Sequence, residues 1–148
     1  MPRKRIFSFP SYNFVLSAKM PLSKAFPPSL DTVGDHIRTA RLQRGLEQHQ
    51  VARILEVTDS TVWNWENHRS SPPVPKCKRV IEFLGYDPFP LPQNLAEQLV
   101  SFRRTRGLRV KDAAALAKVD PASWSSWERT EHSITGACRH RIELLLHG

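Results

Sequence analysis

The segment DSTVWNWEN, Asp59 to Asn67, gathers side chains that could read the edge of another polar molecule. Asn64 and Asn67 each carry a donor and an acceptor side by side, the arrangement that bonds adenine bidentately. Ser60 can serve either role, and Asp59 can accept from cytosine. Trp63 adds a flat apolar face that could press on a thymine methyl or on a sugar–phosphate wall. Chemistry of other kinds has little support. There is no nucleophile–base pair and no phosphate-cradling glycine loop, and Cys138-x-His140 lacks the four-ligand spacing of a zinc site. Cys77 and Cys138, the two cysteines, make no disulfide framework. The chain reads as a non-enzyme with no cofactor and no metal.

These side chains need a helix to present them. Residues three apart on a helix share a face, whereas residues two apart lie about 200° apart. Trp63 and Trp65 therefore cannot both point inward, while Trp124 and Trp127 of PASWSSWER can. An internal repeat decides between the first two. Shifted by 62 residues, the chain overlays itself without a gap: Ile37 on Leu99, Arg41 on Arg103, Gly45-Leu46 on Gly107-Leu108, Trp65-Glu66 on Trp127-Glu128, Leu84 on Leu146. Trp65 matches Trp127 and Val62 matches Trp124, so Val62 and Trp65 face inward. Trp63 points outward with Asp59, Ser60, Asn64 and Asn67, which makes a contact surface.

The repeat predicts an all-α fold of two tandem small helical bundles, each of about four to five helices with a helix-turn-helix. The first spans about 30–87 and the second 92–148, with YDPFPLPQ between them, whose Pro88, Pro90 and Pro92 forbid a continuing helix. In the first bundle, Val33, Ile37, Ala40 and Leu42 make an apolar stripe ended by Gly45. QHQVARIL follows, with Val51, Ala52 and Leu55 inward. Thr58 is the N-cap of the third helix and Asp59 suits its dipole. KCKRVIEFLG closes the unit with Val80, Ile81 and Leu84 as its apolar face.

Two short helices joined by a tight turn, the second polar at its start, form a helix-turn-helix. The stretch IRTARLQRGLEQHQVARILEVTDSTVWNWENHRSSP resembles the Cro and phage-repressor type of helix-turn-helix proteins, over about 30–85 and more loosely over 92–146. The resemblance implies that Gln48 touches the phosphate backbone. It implies that Asp59, Ser60 and Asn64, with Trp63 beside them, enter the major groove. It also implies structural pairs of Arg41 with Glu66 and of Arg103 with Glu128. Three features depart from that pattern: Glu47 stands where Ser or Thr would cap, Glu56 and Lys118 occupy a turn that favours glycine, and Val110, Pro121 and Ala122 replace Gln48, Asp59 and Ser60 in the second copy. The second copy is therefore expected not to read bases.

The net charge of +8 is uneven. Residues 1–30 hold Arg3, Lys4, Arg5, Lys19 and Lys24 and no acid, so 1–29 read as a disordered basic arm. Residues 31–90 balance to zero, and 91–148 carry +3. A basic chain suits a polyanion, and Arg103, Arg104, Arg106, Arg109 and Lys111 form a basic run. With no apolar stretch long enough to span a membrane, a cytoplasmic, nucleoid-associated bacterial protein is expected. The histidines read as surface residues. Two functions remain in view: a sequence-specific regulator binding double-stranded DNA, as a monomer or homodimer, or an antitoxin-like interaction module whose protein partner docks on Trp63.

Overall fold

The computed structural model describes residues 25–129 and 134–148, together with the backbone of two strands near the N-terminus. Strands β1 (Arg5–Phe9) and β2 (Tyr12–Leu16) pair antiparallel, with Phe7 opposite Phe14 and Phe9 opposite Tyr12. Apart from these two strands, the arm expected over 1–29 lies outside the described residues as far as residue 24. RIFSF and YNFVL are rich in β-branched and aromatic residues, and Pro10-Ser11 between them is a turn signal.

All other elements among the described residues are helices: α1 (Val33–Gln43), α2 (Gln48–Leu55), α3 (Asp59–Glu66), α4 (Val74–Leu84), α5 (Leu95–Arg106), α6 (Val110–Ala117), α7 (Pro121–Arg129) and α8 (Gly136–His147). The chain divides into two compact units, Met1–Pro72 with Arg79–Phe89, and Pro73–Lys78 with Pro90–Gly148.

In the first unit, Thr32 caps α1. Its hydroxyl accepts from the Asp35 N–H at 3.2 Å, and the Asp35 carboxylate accepts in return from the Thr32 N–H at 2.9 Å. Gly45, at φ 64°, lets the chain leave α1 in the left-handed region. Glu56 turns α2 into α3 at φ 53°, a conformation that costs a non-glycine residue about 1–2 kcal/mol. The backbone bond from Val57 N–H to the Ala52 carbonyl, 2.9 Å, holds it there. Ile37, Val51, Leu55, Val62, Trp65 and Val80 form the core. Phe83 joins them, while Ile81, expected inside, is half-buried. Residues 80 and 83 share a helical face and 80 and 81 do not. Gly34 is fully enclosed: a Cβ there would stand 1.9 Å from the Trp65 carbonyl oxygen, so α1 and α3 meet backbone to backbone.

The second unit has the same local features at the same offset. Gly107 lies at φ 69° after α5, and Lys118 at φ 55° between α6 and α7. Its core is filled differently. Ala113 and Ala117 stand where Val51 and Leu55 do, and Trp124, fully enclosed, stands where Val62 does. One large ring takes up the volume that two small side chains release, which keeps interior density.

Candidate nucleic-acid interface

The frame of the site is a buried ion pair. Arg41 near the end of α1 donates from Nε to Glu66 Oε1 at 2.6 Å and from Nη2 to Oε2 at 2.9 Å, while its Nη1 donates to the Leu46 carbonyl at 3.1 Å. Glu66 is 2% exposed and Arg41 12%, so both charges are largely desolvated and each depends on the other. This bond network ties α1, the turn before α2, and the end of α3 together. Arg103 and Glu128 make the same fork, at 2.5 and 2.7 Å, with Arg103 Nη1 on the Leu108 carbonyl at 3.2 Å.

Gln48 opens α2, but its side-chain amide is already engaged: Nε2 donates to Glu66 Oε2 at 2.9 Å. It is a member of the ion-pair network, a role that pairwise sequence reasoning did not assign. Next to it, Glu47 caps α2 through its own N–H, which donates to Gln50 Oε1 at 2.8 Å.

Helix α3 presents the remaining candidates. Thr58 caps it, its hydroxyl accepting from the Thr61 N–H at 3.3 Å. Asp59 and Ser60 are exposed in its first turn, and Asn64 is half-buried one turn later. Trp63 is 43% exposed while Trp65, two residues on, is 3% exposed, the split that helical geometry required. Asn67 is exposed, but its amide donates to the Trp63 carbonyl at 2.8 Å and closes the end of the helix. The structure thus brings Asp59, Ser60, Trp63 and Asn64 onto one outward stretch and gives Gln48, Asn67 and, through the Thr58 hydroxyl at 3.0 Å, Ser60 internal partners.

Three residues beyond the sequence-derived set bear on this stretch. Arg69 holds its guanidinium 5.3 Å from the centre of the Trp63 ring. His68, at φ 58°, hydrogen-bonds from Nε2 to the buried Asp35 at 2.8 Å. His36 is half-buried and bonded through Nδ1 to the Tyr86 hydroxyl at 2.6 Å. The expectation that the histidines are surface residues is therefore corrected for His36, which is half-buried; His68 is exposed as expected, but bonded to Asp35. Their partners lie 50 and 33 residues away, and no local pattern signals pairs that distant.

The matching face of α7 carries Ser125 and Ser126 but no counterpart of Asp59, Ser60 or Trp63. Pro121 and Ala122 are exposed there, and Asp120 spends its carboxylate on the Ala122 and Ser123 N–H groups at 2.9 and 3.3 Å. Among the described residues no group of three metal-ligating side chains comes together, and no helix is long and apolar enough to cross a membrane.

Residues 37–91 match the helix-turn-helix family model. The first helical region is thus a helix-turn-helix unit, with α2 and α3 as its two helices. No curated protein and no solved structure matches the chain.

Proposed function

We propose that the protein is a sequence-specific, DNA-binding transcriptional regulator of bacterial or phage type that works in the cytoplasm and inserts α3 into the major groove. The observation that carries this reading is the outward stretch of Asp59, Ser60, Trp63 and Asn64 on a helix fixed at both ends, by the Thr58 cap and by the Glu66 ion pair. Base edges are read by such short polar side chains when a rigid frame holds them in register. The second unit is read as a degenerate copy of the first. Its ion pair, left-handed turns and capping positions recur 62 residues on, and at the Asp59 and Ser60 positions α7 has Pro121 and Ala122, which offer no base-edge donor or acceptor.

Titrating salt against binding to selected and random duplexes tests this. Asn64→Ala is expected to cost about 1–3 kcal/mol at one base position and relax preference there. The matching change in α7, Ser126→Ala, is expected to alter no base preference. A second reading rests on the same exposed Trp63 and on the zero net charge of residues 31–90: the unit binds a protein. It replaces the first if Asn64→Ala leaves every base preference intact while Trp63→Ala abolishes binding to a protein partner.

A further inference from the structure

We infer that Trp63 is a platform for Arg69, and that the two act as one phosphate-gripping device at the end of α3; this rests on the DNA-binding reading above. Arg69 is exposed, and its five N–H donors meet no acceptor among the described residues. It is nevertheless not loose. The guanidinium lies 5.3 Å from the Trp63 ring centre, within cation–π range. The backbone beneath it is fixed by a dense set of bonds. Arg69 N–H donates to the Asn64 carbonyl at 2.9 Å, His68 N–H to the Trp65 carbonyl at 3.3 Å, and Asn67 N–H to the Trp63 carbonyl at 3.0 Å. His68 is held in its left-handed conformation by the buried Asp35, itself anchored to Thr32.

A charged group with unspent donors, stacked on an aromatic face and carried on a pinned backbone, has lost its conformational freedom before any ligand arrives. Phosphate oxygens are the acceptors that a guanidinium fork matches best. The position fits: Arg69 lies just past the end of α3, its N–H on the Asn64 carbonyl and its guanidinium over Trp63, so a phosphate at its tip would lie beside the Trp63–Asn64 part of the outward stretch. Trp63 is then a positioning residue and reads no base.

Full-length wild type, Trp63→Ala, Trp63→Phe, Arg69→Ala and the double Trp63→Ala/Arg69→Ala variant are compared on one selected and one random duplex across a salt series. Circular dichroism melts confirm that each is folded. Arg69→Ala is expected to reduce the salt slope by about 0.9, which weakens binding on the order of eightfold at 0.1 M salt, on both duplexes alike. Trp63→Ala is expected to lose affinity on both duplexes without a change in base preference, and Trp63→Phe to retain most of it because a ring face remains. The double variant is expected to bind no more weakly than Arg69→Ala alone. An unchanged slope for Arg69→Ala overturns the inference. So does a base-specific loss for Trp63→Ala, or simple additivity in the double variant; in each of those cases wild type still discriminates duplexes and the DNA reading stands. A wild type that binds neither duplex removes the DNA reading, and this inference with it.

Discussion

The helical regions α1–α4 and α5–α8 carry the same Arg–Glu fork, but a different third partner completes the glutamate. In the first, Gln48 at the start of α2 donates to Glu66 Oε2 at 2.9 Å. In the second, the Gln48 position is Val110, and the Trp124 indole N–H donates to Glu128 Oε1 at 2.6 Å instead. Val62, which stands where Trp124 does, has no donor to offer. The two frames thus complete a buried carboxylate with different donors: an amide at the helix start in the first, a core indole N–H in the second. In both, what matters is that the buried carboxylate is satisfied, since leaving one unmet is costly. The outward faces of α3 and α7 carry different side chains.

The largest test removes the shared frame. Glu66→Ala strands Arg41 and is expected to cost about 3–5 kcal/mol, as Glu128→Ala should for Arg103. That is a large share of the stability of so small a unit. Equal losses in chemical denaturation would affirm that the frames are equivalent; a melting temperature indifferent to either change would show that the pair is not desolvated.

Next in size is a contact the two regions do not share. Gly34 admits no Cβ, because the Trp65 carbonyl would lie 1.9 Å away, whereas Ala96 occupies the matching place in α5. Backbone cannot rotate aside as a side chain can, so Gly34→Ala is expected to destabilise the first region by about 2–3 kcal/mol. A neutral effect on thermal unfolding would mean that α1 and α3 are further apart than described.

The third partner gives a smaller, asymmetric pair. Trp124 is fully buried and water cannot stand in for its N–H, so Trp124→Phe is expected to cost about 2 kcal/mol. Gln48 is half-buried at a helix start, and Gln48→Ala should cost about 1 kcal/mol or less because Glu66 keeps both bonds from Arg41. Urea midpoints that reverse this order would sink that account of the third partner.

The smallest effect is a pH dependence of the first region. Burial holds the His36 imidazole below its usual value of 6.5, against the opposing pull of Asp35 and the Leu30 carbonyl. At Asp35, burial works against ionisation, but hydrogen bonds from His68 and Thr32 outweigh it and hold the carboxyl below its usual 3.8. Both folded values are depressed, so the unfolded chain binds protons first as pH falls, and stability declines with acidification. The His36 contribution is complete above about pH 6.5 and is lost as pH drops below it, while that of Asp35 is lost only below about pH 4. His140 and His147 in the second region are exposed. The first region is expected to melt lower at about pH 5.5 than at about pH 7.5, and His36→Gln should flatten that dependence. A pH profile unchanged by the substitution would locate the effect elsewhere.

Spacing alone told which of Trp63 and Trp65 lies inside, because helical periodicity admits one answer and the 62-residue offset selected it. Glycine chemistry marked the ends of α1 and α5 for a similar reason: Gly45 and Gly107 adopt a conformation that other residues reach only at a cost. The Arg41–Glu66 and Arg103–Glu128 pairs were readable through resemblance. The roles of Gln48, Asn67, His36 and His68 were not, since each is set by a partner brought close by packing or by a helix end closing on itself. Nor could composition show that Trp124 serves core and ion pair at once. Periodicity and turn chemistry are properties of neighbouring residues and survive in a one-dimensional string. Which donor satisfies a buried carboxylate is decided by the groups that the tertiary fold leaves within 3 Å of it.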